Sequence, residues 1–181
     1  MTEYEEWQNT PGRLGILVSK GDFKKGRYCG EETTLFRAEF KERPRQITTK
    51  VIIGKPDSEE RIICNALWDT GCTDTCISQT VADELKLKEY GKKTMTDMTA
   101  EHLCTFYIAD IKSRDSKFYF REERCAGIDF DGANYEAIIG MDIIGNGNFS
   151  LLRERGKWVF TFSVLIPAES KEPPFKVFCD R

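Results

Sequence analysis

One histidine, His102, is present in the whole sequence. A nucleophilic mechanism of the Ser–His or Cys–His type would have to be built on that single side chain. C-x-x-C pairs are absent too, although there are seven cysteines, at positions Cys29, Cys64, Cys72, Cys76, Cys104, Cys125 and Cys179. Structural zinc takes closely spaced ligand pairs, and a site drawn from Cys72 and Cys76 with His102 or Cys104 fits that spacing poorly. A redox role for Cys72 and Cys76 is disfavoured on the same ground. The odd cysteine count and an acidic, polar start over Met1–Gln8 argue against an exported disulfide framework. Most of the thiols are therefore expected to be reduced and buried as small hydrophobes.

Long runs of one kind are also missing. The most basic stretch, Lys20–Arg27, is interrupted by Asp22 and by Gly21 and Gly26, and the net charge is −3. That is not the footprint of a nucleic-acid binder. No apolar run approaches the ~20 residues needed to cross a bilayer. The chain is expected to be soluble and cytoplasmic, with neither nucleic acid nor membrane as partner.

What is present is a globular balance, 40% hydrophobic and 31% charged over 181 residues, enough for one domain with a proper core. The pattern is mainly β. Segments Leu14–Ser19, Thr33–Phe40, Ile47–Ile53, Arg61–Trp68, Leu103–Ile111, Lys117–Phe120, Phe149–Arg153 and Lys157–Leu165 are strand-like, rich in β-branched and aromatic residues. Gly54–Ser58 and Arg155-Gly156 supply hairpin turns. Two short helices are expected, Gln79–Lys86 capped by Ser78, and a single turn Asp142–Gly145 capped by Asp142. Residues 1–45 are expected to add strands to a core domain over 46–166. The proline-rich tail 167–181 is expected to lie outside the core.

The chemistry is concentrated in two segments. In Leu67-Trp68-Asp69-Thr70-Gly71-Cys72 an apolar strand runs into a carboxylate, which is costly to bury without a partner. Gly71 allows close backbone approach, and the Thr70 hydroxyl can fix a loop. The bland alternative is an Asp that merely opens a turn. The second segment, Ile138-Ile139-Gly140-Met141-Asp142, is an apolar run that ends in glycine and leads into a short helix.

In that order and spacing the two segments resemble the retropepsin-like family of aspartic peptidases, over roughly Gln46 to Leu165, and a bacterial or phage-type member more than a viral one. The resemblance implies a closed acid-protease β-fold in which each subunit contributes one Asp-Thr-Gly loop. This chain has a single such triplet, because Asp57-Ser58-Glu59 and Asp115-Ser116-Lys117 lack the glycine. A homodimer acting on a peptide or protein substrate is therefore implied, with the chain end Lys157–Leu165 as a candidate for part of the interface. Two carboxylates at a two-fold axis share one proton, because like charges at close range repel. The ionised Asp69 would take a proton from a water, and its protonated partner would polarise the peptide carbonyl, with no metal or cofactor required.

The resemblance further assigns Thr70 to holding the two loops together and Gly71 to close approach of substrate. Cys72, Asp74, Ile139 and Gly140 are the implied substrate-binding positions. Met98, Thr99 and Ala100 form the implied tip of a covering hairpin, Lys92–Cys104, which also holds His102. The chain departs from its relatives in four places, the first being Trp68, which is bulkier than the usual aliphatic residue before the aspartate. Cys72 stands where Ala, Ser or Thr is usual, and a thiol would give the catalytic carboxylate a weaker hydrogen bond than a hydroxyl. Thr73 and Met141 replace the Asp–Arg pair of viral members. The hairpin has no glycine after Gly91. This last feature keeps a second reading open, a binding or structural module that has the fold and does not cleave.

Overall fold

The computed structural model describes residues 30–96, 101–114, 118–167 and 177–179; the expected strand Leu14–Ser19 lies outside them. In chain order the elements are β1 (Gly30–Phe40), β2 (Thr48–Gly54), β3 (Arg61–Trp68), β4 (Cys76–Ser78), α1 (Gln79–Glu84), β5 (Lys88–Thr96), β6 (Glu101–Ser113), β7 (Phe118–Ile128), β8 (Ala137–Ile139), α2 (Met141–Ile144), β9 (Asn148–Glu154), β10 (Lys157–Pro167) and β11 (Val177–Cys179). The class is mainly β with two short helices, as expected.

Turn chemistry sets the hairpins. Between β2 and β3, Ser58 N donates to Lys55 O at 3.2 Å and Asp57 takes a positive φ of 56°, which Asp tolerates better than most residues. Between β9 and β10, Arg155 and Gly156 have φ of 47° and 85°. Two consecutive positive values are the signature of the tight turn whose twist matches that of paired strands.

The larger sheet has the order β11-β7-β4-β8-β3-β2-β6-β5, and β7 also pairs with β6. That extra pairing closes β7-β4-β8-β3-β2-β6 into a six-stranded barrel. Its centre is unusual in direction: β8 runs parallel to β3 and antiparallel to β4, and β4 runs parallel to β7. The short strand β8 is thereby wedged between the strand that precedes Asp69 and the strand that follows it.

Three elements differ from expectation for identifiable reasons. β5 is exposed along almost its whole length, so no apolar alternation marked it in the sequence. β7 continues through Arg121-Glu122-Glu123-Arg124, a charged run that hides the strand. It bulges there, where Glu122 has φ 54° and its N–H donates to Asp110 Oδ1 at 2.9 Å. Within the tail, Val177–Cys179 pairs with β7 as an edge strand. The helices shift slightly. In α1, Ser78 does cap, accepting from Val81 N at 3.1 Å, but the helix ends at Glu84 because Lys86 turns to φ 48°. In α2 the N-cap is Gly140, and Asp142 sits inside the first turn.

A second sheet, β1-β10-β9, shares the core with the barrel. Trp68, at the end of β3, is the joint. Its ring centroid lies 5.0 Å from each of Phe36, Phe160 and Phe162 and 6.2 Å from Phe149, and its Nε1 donates to Thr49 Oγ1 at 3.0 Å. An indole is buried in this way only where its N–H finds an acceptor. β10 is the central strand, paired with β1 on one side and β9 on the other. Lys157–Leu165 therefore has no free edge at which a second copy could add a strand, so the edge-to-edge pairing of viral chain ends is not available to it. The edges of this sheet among the described residues are β1 and β9.

Trp68→Ala should destabilise the fold by about 3–5 kcal/mol, the usual cost of deleting a large buried aromatic. Urea unfolding should show a lowered midpoint with unchanged slope; a midpoint near that of the wild type would mean the two sheets do not depend on this joint.

Candidate active site

Asp69 is the first residue beyond β3, and its N–H still donates to Ile139 O of β8 at 3.0 Å. The chain then turns sharply. Gly71 N donates to Asp69 Oδ1 at 2.8 Å, and Cys72 N donates to Asp69 O at 3.2 Å. A backbone N–H thus orients the carboxylate within its own loop. Asp69 is half-buried, while Thr70 and Gly71 are exposed.

The second segment is pressed against this loop. A Cβ on Gly140 would lie 2.7 Å from the carbonyl carbon and oxygen of Asp74 and 3.0 Å from Cys72 O, so no side chain fits there. Met141 N donates to Cys72 O at 2.8 Å and Asp142 N donates to Thr73 O at 3.1 Å. Thr75, fully buried, completes the junction. Its N–H and hydroxyl donate to the two carboxylate oxygens of Asp142 at 2.8 and 2.7 Å, and its Oγ1 accepts from Gly140 N at 3.1 Å. Ile143 N adds a further bond to Asp142 Oδ1 at 2.9 Å. Burial pushes the Asp142 carboxyl up, against the opposing pull of the Thr75 hydrogen bonds.

The other expected positions surround the loop unevenly. Ile139 is buried as the parallel partner of Trp68. Asp74 accepts an ion pair from Lys93 Nζ of β5 at 2.9 Å, and the same ammonium lies 5.7 Å from the Phe106 ring centroid. The pair ties the β5–β6 hairpin to the loop. Met98, Thr99 and Ala100 lie outside the described residues; the strands that flank them pair from Thr96↔Glu101 onward, and His102 stands exposed opposite Met95. The Cys72 thiol is directed at Asp74 O, 3.1 Å away, and at Cys76 Sγ, 3.9 Å away. Its hydrogen bond goes to that carbonyl and not to the Asp69 carboxylate, so the weaker-donor role expected for it does not hold in this geometry.

Sequence reasoning missed Thr75, Lys93 and the true role of Asp142. The available signal was a polar Thr just before an apolar strand, together with an Asp directly after Gly140-Met141. Among the described residues no group of three His, Cys, Asp or Glu side chains gathers as a metal site.

No family model and no curated protein matches the sequence. Solved structures similar to it include two proteases. One is a retropepsin-like aspartic protease from Rickettsia conorii, 12% identical with a TM-score of 0.47, covering 77% of this chain and 100% of that one. The other is the EIAV protease in complex with the inhibitor HBY-793, 20% identical with a TM-score of 0.42, covering 56% of this chain and 86% of that one. The strand order, with β8 wedged between the strands flanking the Asp-Thr-Gly loop, forms a closed, mainly β barrel of the kind the two motifs imply.

The raised pKa of Asp142 has a definite sign. The folded state holds this proton more tightly than the unfolded chain, so the stabilisation is present below the ordinary value of 3.8 and is lost as pH rises through the raised one. Asp142→Asn removes the ionisation. The stability of wild type minus that of the variant, from urea unfolding at a series of pH values, should fall from acid toward neutral pH and then level off. A difference that is flat or rises across that range would contradict the burial of this carboxyl.

Proposed function

We propose that the chain is an aspartic endopeptidase whose active site is completed by a second copy of itself. The observation that carries this reading is the Asp69 loop: a half-exposed carboxylate oriented by the Gly71 N–H, with Gly140 closing behind it. Only one such loop exists per chain. A single carboxylate cannot act as base toward water and acid toward the carbonyl in the same step, and a symmetric pair can.

In this mechanism the two Asp69 side chains meet at the two-fold axis and share one proton. The ionised one takes a proton from the water between them as the water oxygen attacks the peptide carbon. The protonated one hydrogen-bonds the carbonyl oxygen and gives up its proton as that oxygen gains charge. The tetrahedral intermediate collapses when the amide nitrogen is protonated and the C–N bond breaks. Thr70, exposed at the loop tip, is placed to bond the partner loop, and Gly71 leaves room for substrate backbone. Cys72 and Asp74 stand on the near wall of the binding site, Ile139 and Gly140 back it from behind the loop, and covering the site is the role the resemblance assigns to Met98, Thr99 and Ala100. The Lys93–Asp74 ion pair holds the covering hairpin to that wall.

Two outcomes are expected. Digestion of a peptide library by wild type should show a bell-shaped dependence on pH, and Asp69→Asn should lose about 10⁴-fold or more of the rate. Cleavage by Asp69→Asn at the wild-type rate would remove Asp69 from the mechanism, and a library left intact by wild type would favour the non-catalytic module. Sedimentation at micromolar concentration should show a dimer, consistent with an interface of roughly 1,200 Å² or more. A species that stays monomeric even with a substrate-like inhibitor bound would contradict the composite site.

A further inference from the structure

The catalytic loop carries a second pair of reactive groups that the peptidase mechanism does not use. Cys72 and Cys76 bracket the turn between Gly71 and β4, and their sulfurs are 3.9 Å apart. Both thiols face one acceptor, Asp74 O, at 3.1 and 3.3 Å, so the two side chains already converge on one point. A disulfide needs about 2.05 Å between sulfurs, so its formation must draw the two side chains and the turn between them together by about 2 Å. We infer that Cys72 and Cys76 form an oxidative modification site, a dithiol that a peroxide converts into a disulfide and thereby distorts the Asp69 loop.

Exposure assigns the roles. Cys72 is half-buried next to the exposed Gly71 and Thr73, whereas Cys76 is 1% exposed. A small peroxide therefore meets Cys72 first, and Cys76 resolves from behind it. The neighbouring Cys76 thiol favours the thiolate of Cys72 by hydrogen bonding, while the same contact and burial push Cys76 up. The remaining thiols with described side chains are less reactive: burial pushes Cys64 up to about 11 and raises Cys104 and Cys125 as well.

The chemistry balances with the peroxide as oxidant. The Cys72 thiolate attacks one peroxide oxygen, the O–O bond breaks, and hydroxide leaves as water after taking a proton, which gives Cys72 sulfenic acid. The Cys76 sulfur then attacks the Cys72 sulfur. The S–O bond breaks, and the departing hydroxide takes the Cys76 proton as a second water. Two thiols are oxidised by two electrons, and the peroxide is reduced to two waters. The new bond pulls both sulfurs off Asp74 O and tightens 72–76. The backbone bonds from Cys72 N to Asp69 O, from Met141 N to Cys72 O and from Asp142 N to Thr73 O all anchor in or beside that ring. Cleavage should fall on oxidation and return on reduction. This consequence rests on the peptidase reading, whereas formation of the disulfide does not.

The test treats the full chain with hydrogen peroxide near stoichiometry, blocks free thiols with iodoacetamide under denaturing conditions, and maps the tryptic peptides. The peptide Ile62–Lys86 contains Cys64, Cys72 and Cys76. Cys64 should be alkylated, with Cys72 and Cys76 joined and the peptide two hydrogen atoms lighter in that pair; dithiothreitol should restore alkylation of both. In Cys76→Ala, peroxide raised to several equivalents should carry Cys72 on to sulfinic or sulfonic acid, which dithiothreitol cannot reverse. Wild-type Cys72 that stays fully alkylatable, over-oxidises, or pairs with another cysteine would overturn the site. If the disulfide forms and wild-type cleavage, abolished in Asp69→Asn, is unchanged by it, the distortion of the loop is overturned while the peptidase assignment stands.

Discussion

Gly140 passes within van der Waals range of the carbonyls of Cys72 and Asp74, and at that distance a single added methyl group would collide with backbone. The approach places the second segment of the chain directly behind the first. Once they touch, Thr75 and Asp142 lock them with three hydrogen bonds to one buried junction. The Asp69 loop is exposed on its far side and has little packing of its own, so its conformation is inherited from this contact. A buried carboxylate is costly, and here it is tolerated because donors from Thr75 and Ile143 surround it.

The same constraint explains the strand directions. A loop that must present Asp69 at a strand end and return past Gly140 needs β8 between β3 and β4, parallel to one and antiparallel to the other. Trp68 then falls on the inner side of β3, where Phe36, Phe149, Phe160 and Phe162 from the β1-β10-β9 sheet enclose it. The position before Asp69 is thus the point at which the second sheet grips the barrel. β10 is enclosed by β1 and β9, so it offers no edge through which a strand could be exchanged.

Legibility in the sequence followed the range of the interaction. Strands β2 and β3 and the turns at Asp57 and Arg155-Gly156 depend on local alternation and local φ preferences, and they could be read directly. Asp69, Gly71 and Gly140 were legible because two short motifs stood in register. Strand β5, exposed on both faces, and the charged middle of β7 gave no alternation to read. The Thr75–Asp142 junction, the Lys93–Asp74 pair and the side chains around Trp68 join positions far apart in the chain, and nothing local announces them. Cys72 and Cys76 were visible as a spacing that suits zinc poorly, but the convergence of their sulfurs on Asp74 O depends on the folded turn.

The central claim is that one catalytic centre needs Asp69 from two chains, and subunit mixing tests it most directly. Wild-type protein is held at fixed amount and equilibrated with increasing Asp69→Asn protein, and peptide cleavage is followed. If the site is composite, the variant draws wild-type chains into inactive mixed dimers, and an equal amount of it should lower the rate by roughly half, with further loss at higher excess. A rate that depends only on the amount of wild-type chain, whatever the excess of variant, would contradict the account.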